Sequence, residues 1–342
     1  MSVKVVEKLS SKKEEKAPKE KNALDIALES LNKNIGEGTV YKYKDFKGTP
    51  EERLPSGILA IDYVTGGGWA KGRIHYLVGW ESSSKSTICL YATRQCQRAG
   101  GRVLYADSEM SYDKKYAEAL GVDVDELIIT QPDCMEDGYN VIEKLVSTGM
   151  VDMVIFDSVA ASQTRRELEG EIGDSAMGVK AKLNSQAMPK FLSLFKKHNC
   201  IGIWVNQYRE KIGISYGSPL TEPASNALKY AASIKLEVAR STQIKDGEEV
   251  VGNLFKVKCT KNKTAAPYKT AEYNIEYGLG VDYDQEVFDF AVSADIIKRA
   301  GSWFSYGEVK LGQGADKAKD FLVSNQEMFK EIEDNVREAY NF

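Results

Sequence analysis

Residues 73–87 read "RIHYLVGWESSSKST", an apolar run that leads directly into a serine-rich turn. The run predicts a buried strand and the pattern after Thr87 predicts a helix, so the turn connects a strand to a helix. Gly79, Lys85 and Ser86 stand at the offsets of the pattern G-x-x-x-x-G-K-[ST], which binds nucleotide phosphates and Mg²⁺. A helix N-terminus adds its dipole and free N–H groups to such an anion site. We therefore predict a nucleotide-binding loop, the phosphate loop, at residues 79–87.

The second glycine of this pattern is replaced by Ser84. Glycine suits the position because the backbone approaches the phosphates closely and because glycine tolerates unusual dihedral angles. If the local φ were strongly positive, serine would cost on the order of 1 kcal/mol or more and the site would be weak. If φ is negative, serine fits with little strain, and its hydroxyl turns away or bonds a phosphate oxygen. We expect the negative φ and a working loop.

Apolar runs of the same kind recur and alternate with helical patterns. The runs "RVLYAD", "ELIITQ", "VDMVIFD" and "CIGIWVN" predict buried strands, and the patterns at 88–98, 116–120, 138–147 and 180–197 predict helices. This alternation is typical of a mostly parallel twisted sheet with helices on both faces, an α/β fold. Later runs, "SIKLEVAR", "NLFKVKCTKNK" and "AEYNIEY", predict an antiparallel extension of the sheet. An amphipathic N-terminal helix precedes the sheet, and a small α+β C-terminal unit follows it.

Composition excludes several classes of protein. The chain has 342 residues, 42% of them hydrophobic, and no apolar run long enough for a membrane helix. The charged N-terminus does not resemble a secretory signal. The five cysteines are scattered without the spacing of a zinc site, which predicts reduced thiols in the cytoplasm. Only two histidines are present, so a histidine-rich metal site is excluded.

Acidic and amide side chains stand at the predicted ends of several strands. Glu109 follows "RVLYAD", Asp157 ends "VDMVIFD", and Gln207 follows "WVN". Ligands of open α/β sheets bind at this edge, and phosphoryl transfer needs a metal-holding carboxylate and a group that orients water. A single acid at a strand end can instead cap the next helix. Together with Lys85, the set predicts a nucleotide-hydrolysing site.

Two segments without periodicity follow these strands, at residues 169–178 and 208–226. Loops longer than about 12–15 residues inside compact domains are usually functional or disordered. The second segment begins directly after Gln207, so its contacts can depend on the phosphate. Both segments could hold a polyanion through Lys182, Arg209, Lys211 and backbone N–H groups, although basic loop residues are often only solvated.

From about Leu24 onward the chain resembles the RecA recombinases of bacteria and their viruses. The resemblance is carried by "ESSSKST", "DSVAA", "EGEIGDSAMG", "NQYREKIG", "NALKYAAS", "KNKTAAP" and "AGSWFSYGEVKLGQG". It implies a RecA-like P-loop ATPase core and an ATP-dependent helical filament on single-stranded DNA that pairs this strand with homologous duplex DNA. It further implies a role in DNA repair and in the SOS response, with single-strand-binding protein and loading factors as accessory partners.

The resemblance also assigns roles to residues of this chain. The expected cofactors are ATP and Mg²⁺. The phosphate loop would bind the phosphates, and two further residues would contact and stack on adenine. The nucleotide-binding set is then Gly79, Glu81, Ser82, Ser83, Ser84, Lys85, Ser86, Thr87, Asp113 and Tyr116. Ser86 and Asp157 would hold the metal. Glu109 would activate water and Gln207 would couple the γ-phosphate to the second loop. Lys261 and Lys263 would reach the ATP of the adjacent protomer, and Tyr230 would link subunits.

The DNA contacts and domain limits implied by the resemblance complete these expectations. Met177 and Ile212 would be apolar wedges, and Ser185, Arg209 and Asn226 would contact the DNA backbone. Lys182 and Lys211, the basic residues of the two segments, complete the expected DNA-binding set. We expect a disordered lysine-rich tail at 1–22 and a helix with linker at 23–48 that contacts a neighbouring protomer. We expect the ATPase core at 49–272, with DNA-binding loops near 169–178 and 208–226, and a C-terminal domain at 273–342.

Departures from the family pattern indicate a divergent member, which would act in the host cytoplasm if it is viral. Pro189 stands where the family usually has an arginine that touches DNA, and it should kink its helix. Residues 224–225 replace paired glycines, and Glu210 adds a negative charge. We expect an active DNA-dependent ATPase that catalyses strand exchange. The alternatives are a filament or accessory protein that binds ATP and DNA but hydrolyses ATP poorly, and an ATPase that acts on something other than DNA.

Overall fold

A computed structural model describes residues 22–35, 40–42, 52–171, 178–210, 220–224 and 226–342. In chain order, its helices are α1 (Ala23–Ile35), α2 (Leu59–Thr65), α3 (Lys85–Arg98), α4 (Lys114–Ala119), α5 (Met135–Ser147), α6 (Arg165–Glu169), α7 (Val179–His198), α8 (Asn226–Ala231), α9 (Tyr283–Ser293), α10 (Ala315–Ser324) and α11 (Gln326–Tyr340). The helices predicted around the central strands are thus all present.

In chain order, the strands are β1 (Arg53–Leu54), β2 (Trp69–Ala70), β3 (Ile74–Gly79), β4 (Val103–Asp107), β5 (Ile128–Thr130), β6 (Met153–Asp157), β7 (Ile201–Gln207), β8 (Arg209–Glu210), β9 (Leu220–Thr221), β10 (Ile234–Asp246), β11 (Glu249–Asn262), β12 (Thr270–Glu276), β13 (Gly280–Val281), β14 (Ile297–Ala300), β15 (Trp303–Tyr306) and β16 (Val309–Gln313). Each apolar run identified in the sequence forms a strand.

The central sheet has nine strands in the order β13-β12-β11-β10-β3-β7-β6-β4-β5. The strands from β10 to β5 pair in parallel, and β11, β12 and β13 extend the sheet in antiparallel fashion. The predicted α/β fold is therefore confirmed. The expectation that the "SIKLEVAR" run pairs only in antiparallel fashion is wrong, because β10 pairs in parallel with β3. The chain leaves β7, passes through α8 and re-enters beyond β3 in the same direction, as a helical crossover requires.

The phosphate loop follows β3, which lies inside the sheet and is buried on both faces. All six residues of β3 are buried. Leu77 packs with Ile88 of α3 on one face of the sheet, whereas Tyr76 packs with Phe156 and Phe191 on the face covered by α5 and α7. Alternate side chains of a strand point to opposite faces, so both faces of β3 are covered by helices. The loop is thus held between a fixed strand and a packed helix.

The C-terminal part combines the three-stranded sheet β14-β15-β16 with α9, α10 and α11 around its own apolar cluster. Glu286 of α9 joins it to the core, since its carboxylate accepts hydrogen bonds from the backbone N–H groups of Leu59 (3.1 Å) and Ala60 (3.0 Å) at the start of α2. The central sheet continues past residue 272, where we expected the core to end, as far as Val281. In the described part of the chain, no helix is both long and apolar enough to cross a membrane.

Residues 1–50 are a unit apart from the rest of the chain, and within it the structure describes α1 and residues 40–42. The predicted helix is present and ends at Ile35, one residue before Gly36. Its apolar side chains Leu24, Leu31 and Ile35 are exposed. The Asn32 side-chain amide makes two hydrogen bonds to the backbone of Val40. Its oxygen accepts from the Val40 N–H at 2.9 Å, and its nitrogen donates to the Val40 carbonyl at 2.6 Å. The amphipathic face therefore has no buried residue in α1 itself, and its contact with a neighbouring protomer stays a prediction.

Candidate functional site

A cavity of about 590 Å³ opens at the carboxyl ends of the parallel strands, above the phosphate loop. Its wall brings together residues from the phosphate loop, from the ends of β4, β6 and β7, and from the antiparallel extension. These residues are Glu81, Ser82, Ser83, Ser84, Lys85, Ser86, Thr87, Glu109, Tyr116, Asp157, Gln207, Arg240, Asn253, Phe255, Ile275 and Tyr277. Most of the nucleotide-site residues predicted from the sequence therefore meet at one place.

The phosphate loop begins at a position where only glycine fits. A Cβ on Gly79 would lie 2.2 Å from the carbonyl oxygen of Val238 and 2.5 Å from Ser83 Oγ. Lys85 is 6% exposed, and its ammonium donates to the Trp80 carbonyl at 2.5 Å and to Ser83 Oγ at 3.2 Å. Burial lowers the pKa of Lys85, whereas the nearby Asp157 and Glu109 act to raise it. The buried cation thus lies within the loop, where its charge is available to an anion.

The expectation of a negative φ at Ser84 is wrong. Ser84 caps α3 with φ 63° and ψ 13°, the left-handed conformation, and Ser82 also has a positive φ of 53°. The loop must turn sharply from β3 into α3, and a left-handed residue at the N-cap provides this turn. For a residue that has a Cβ, this left-handed conformation costs about 1–2 kcal/mol. The Ser84 hydroxyl does turn away, because it donates to the Ser83 carbonyl at 2.6 Å.

Ser86 and Asp157 lie together as a pair suited to hold a hard cation. Ser86 Oγ donates to Asp157 Oδ2 at 2.8 Å, and the Tyr105 hydroxyl donates to the same oxygen at 2.8 Å. Burial raises the pKa of Asp157 to about 6, while these two hydrogen bonds act in the opposite direction. Hydroxyl and carboxylate oxygens are ligands that Mg²⁺ accepts beside phosphate oxygens and water. The donor set at this point of the cavity therefore fits magnesium.

Glu109 and Gln207 contact each other across the cavity. Gln207 Nε2 donates to Glu109 Oε1 at 2.9 Å, and Ser158 Oγ donates to the same oxygen at 2.6 Å. Asp107, the other acid at the end of β4, has a structural role, since it accepts from the backbone N–H groups of Ser111 and Tyr112 and from the side chain of Gln131. Of these two acids, only Glu109 lines the cavity.

Aromatic side chains in the cavity wall suit a planar base. Tyr116 lines it, and the Tyr116 hydroxyl lies 3.3 Å from Thr87 Oγ1. Asp113 caps α4 by accepting from the Tyr116 N–H at 3.0 Å, and Asp113 itself is not among the residues of the cavity wall. Asn253 donates to the Tyr277 hydroxyl at 2.7 Å. Asn253 lines the cavity, and its buried Oδ1 has no hydrogen-bond partner among the described residues.

Strand β10 and the antiparallel extension supply a wall of the cavity that was not predicted from the sequence. Arg240, Asn253, Phe255, Ile275 and Tyr277 come from β10, β11, β12 and the turn after β12. No motif marks these positions, because their approach to the phosphate loop depends on how β10 pairs with β3. Their alternation on the strands, which puts Asn253 and Phe255 on one face of β11, was the available signal.

Lys261 and Lys263 lie away from this cavity. Lys261 donates to the backbone carbonyls of Lys229 and Tyr230, and Lys263 donates to the Tyr230 carbonyl at 3.2 Å. Burial lowers the pKa of Lys261, and the nearby Lys263 lowers it further. The Tyr230 side chain is 81% exposed. The two lysines and the exposed ring therefore form one surface at the end of α8, separate from the nucleotide cavity of their own chain.

The predicted DNA-binding residues fall partly within the described residues. Lys182 and Ser185 are exposed on α7, Arg209 is exposed on β8, and Asn226 is the exposed first residue of α8. The Ser185 hydroxyl donates to the Ala181 carbonyl at 2.8 Å, so it can meet DNA only as an acceptor unless it rotates. Met177, Lys211 and Ile212 lie outside the described residues.

A buried amide of α7 is bonded to the end of the second predicted DNA-binding segment. Asn184 of α7 donates to the Ala224 carbonyl at 2.9 Å and accepts from the Tyr139 hydroxyl at 2.6 Å. Lys180 also lies in this region, where burial lowers its pKa and the Arg209 guanidinium acts in the same direction. The sequence reasoning assigned no role to Asn184. Pro189 lies inside α7, which continues through it to His198.

Comparison with known proteins identifies the family. Residues 22–282 match the RecA N-terminal domain, and residues 285–341 match the RecA C-terminal domain. Protein RecA of Lactobacillus johnsonii is 44% identical over 321 residues, which are 94% of this chain and 89% of that protein. Protein RecA of Enterococcus faecalis is 43% identical over 94% of this chain and 92% of its own length.

A solved structure supports the fold. The crystal structure of the RadB recombinase aligns with a TM-score of 0.51 at 21% identity, and the alignment covers 67% of this chain and 98% of that one. At this identity the likeness bears on the fold alone. With both family domains matched over nearly the whole chain, the protein belongs to the RecA family.

Proposed function

We propose that the cavity above the phosphate loop binds ATP with Mg²⁺ and hydrolyses it when the protein assembles on single-stranded DNA. The chain is a DNA-dependent ATPase of homologous recombination, and it pairs the bound strand with homologous duplex DNA. One observation carries the proposal. Lys85, the Ser86–Asp157 pair and the Glu109–Gln207 pair meet in a single cavity at the carboxyl edge of the sheet.

The phosphate end of the site would be served by charge and backbone donors. The N-terminus of α3 presents free N–H groups, and the Lys85 ammonium lies within the same turn. On nucleotide binding, Lys85 would exchange the Trp80 carbonyl for a phosphate oxygen. Magnesium held by Ser86 and Asp157 would neutralise charge on the phosphates. The buried position of Lys85 strengthens its attraction for phosphate, since little water competes there.

Glu109 would act as the base that activates water. The hydrogen bonds from Gln207 and Ser158 both end on Oε1, so Oε2 can accept a proton from a water in the cavity. Gln207 would act as the sensor of the γ-phosphate, because its amide can donate either to Glu109 or to a phosphate oxygen. The chain continues from Gln207 into Arg209 and the second DNA segment, so this exchange of partners links nucleotide and DNA.

The base end supports adenine as the ligand. Tyr116 and Tyr277, which both line the cavity, can lie against a planar ring. Asp113, whose Oδ1 caps α4, would offer its second oxygen to the same base.

Lys261, Lys263 and Tyr230 would act between protomers. Their position away from the cavity of their own chain supports a site completed by the neighbouring copy, with ATP at the interface. The exposed apolar face of α1 would contact a further protomer of the filament. Lys182, Ser185, Arg209 and Asn226, with Met177, Lys211 and Ile212, would face DNA. Single-strand-binding protein and loading factors would act as partners in the cytoplasm, where the DNA substrate lies.

ATP turnover with and without single-stranded DNA tests the proposal. We expect turnover that rises on addition of DNA, and its loss in Lys85→Ala, because the phosphates lose their buried cation. Lys115→Ala, which removes an exposed lysine from α4, is the matched control and should retain turnover. Filaments that bind ATP and DNA without turnover would instead support the non-hydrolysing alternative.

A further inference from the structure

The phosphate loop is bonded to a buried tyrosine of the antiparallel extension. Tyr273 lies on β12 and is 2% exposed, and its hydroxyl oxygen is 2.8 Å from Ser84 Oγ. Ser84 Oγ already donates its proton to the Ser83 carbonyl at 2.6 Å. The proton between the two hydroxyls must therefore come from Tyr273. This gives a directed chain from the Tyr273 hydroxyl to the Ser84 hydroxyl and on to the Ser83 carbonyl.

We propose that Tyr273 is a positioning residue for nucleotide binding, which holds Ser84 in its left-handed conformation and keeps the Ser84 hydroxyl away from the phosphates. The inference rests on the proposed nucleotide site. Serine disfavours φ 63°, and a fixed hydrogen bond to its side chain offsets this preference. Ser84 directly precedes Lys85, so the bond also sets the direction of the N–H groups that open α3. The loop is then preorganised for phosphate although it lacks its second glycine.

The surroundings of Tyr273 indicate that its hydroxyl has this specific role. The ring stacks on Phe255 of β11 with centroids 5.9 Å apart and an interplanar angle of 24°. Packing alone would be satisfied by phenylalanine, whereas burying a hydroxyl is unfavourable unless it is bonded. Burial raises the pKa of Tyr273, so the hydroxyl stays protonated and remains a donor. Ser84 is the partner that makes this buried hydroxyl favourable.

The bond also connects the phosphate loop, through β12, to β11, the strand that carries Lys261. Tyr273 is the register partner of Phe255, and β11 continues from Phe255 to Lys261. Phe255 itself lines the nucleotide cavity. A shift of the β11–β12 pair would therefore alter Ser84 directly. Through this contact, the shape of the phosphate loop depends on a part of the fold that lies outside the nucleotide-binding motif.

A double-mutant cycle on the full chain tests the proposal. The variants are Tyr273→Phe, Ser84→Gly and the two together, and the readouts are the Kd of a fluorescent ATP analogue and the KM and kcat of DNA-stimulated turnover. Tyr273→Phe should weaken nucleotide binding about three- to tenfold, the value of one hydrogen bond, and should raise KM more than it lowers kcat. Combined with Ser84→Gly, the same change should alter affinity by less than about twofold, because glycine needs no support at positive φ.

Two further variants serve as a control and as a second way to remove the hydrogen bond. Tyr283→Phe removes the hydroxyl of a partly buried tyrosine, which donates to Glu333 in the C-terminal part, and should leave nucleotide affinity unchanged. Ser84→Ala removes the same bond from the loop side while it keeps a Cβ at positive φ, so it should reproduce the loss caused by Tyr273→Phe. It also decides the question if Tyr273→Phe fails to fold.

The outcomes distinguish a failure of the Tyr273 proposal from a failure of the proposed function. If the natural chain binds ATP but Tyr273→Phe and Ser84→Ala bind it equally well, Tyr273 has no positioning role and the proposed function stands. If Tyr273→Phe weakens nucleotide binding equally in the natural chain and in the Ser84→Gly variant, the two residues are not coupled and the proposal fails. If the natural chain binds no ATP, the proposed function and this inference both fail.

Discussion

Replacing Glu109 by glutamine should abolish most ATP hydrolysis while it preserves the folded site. Glutamine has the same shape as glutamate, and its carbonyl oxygen can accept the bonds that Gln207 and Ser158 donate at 2.9 and 2.6 Å. The amide nitrogen would then stand where Oε2 stood, and it cannot accept a proton from water. A positioned general base contributes roughly 10²–10⁴-fold to rate. This corresponds to about 2.7–5.4 kcal/mol of the activation barrier.

The assay is steady-state ATP turnover at saturating single-stranded DNA, with nucleotide and DNA affinities measured on the same variant. We expect Glu109→Gln to bind both ligands normally and to lose roughly two to four powers of ten in kcat. Glu248→Gln, which removes an exposed carboxylate in the turn between β10 and β11, controls for the loss of one negative charge and should keep full turnover. Normal turnover by Glu109→Gln would remove Glu109 from the mechanism and refute the reasoning.

Three further predictions concern the protomer interface, DNA and pH. Lys261→Ala and Lys263→Ala should depress turnover and ATP-induced filament assembly while the monomer stays folded, and electron microscopy showing normal ATP-stiffened filaments would exclude a shared site. Arg209→Ala should weaken binding to all single-stranded sequences alike and reduce the slope of log affinity against log salt by about 0.7, whereas a changed sequence preference at constant slope would argue against a phosphate contact. Burial lowers the pKa of His75 to about 4. Below pH 6.5 the unfolded chain therefore binds a proton that the folded chain does not. The free energy of unfolding decreases as pH falls from 6.5 towards 4. Between pH 7.5 and 5.5 this loss is about 1.4 kcal/mol. In urea unfolding, the free energy of unfolding of His75→Gln should therefore change between these two pH values by about 1.4 kcal/mol less than that of the natural chain. The same change in both proteins would contradict the assignment.

Much of the fold was predictable because each core strand is an apolar run bounded by polar residues. The strands "VDMVIFD" and "CIGIWVN" were identified directly, and Asp157 and Gln207 at their ends face the cavity as expected. The direction of β10 was not predictable from its own sequence. It depends on the crossover through α8, which is a property of the chain's path and not of the strand.

The details of the site show where local sequence is insufficient. Asp107 and Glu109 have the same chemistry two residues apart, and only the backbone N–H groups around Asp107 assign it a structural role. The positive φ of Ser84 could not be inferred from a residue type that rarely adopts it. Its partner Tyr273 lies 189 residues further along the chain, so no local pattern joins them. Long-range contacts of this kind appear only once the sheet is assembled.

Homologous strand exchange tests the central claim most directly. Purified protein is assembled on a labelled single strand with ATP and Mg²⁺, and is then mixed with homologous or unrelated duplex DNA. The proposed function predicts transfer of the labelled strand into the homologous duplex, no transfer into the unrelated one, and loss of transfer when ATP is omitted. Stable filaments that leave the homologous duplex unpaired in the presence of ATP would contradict it.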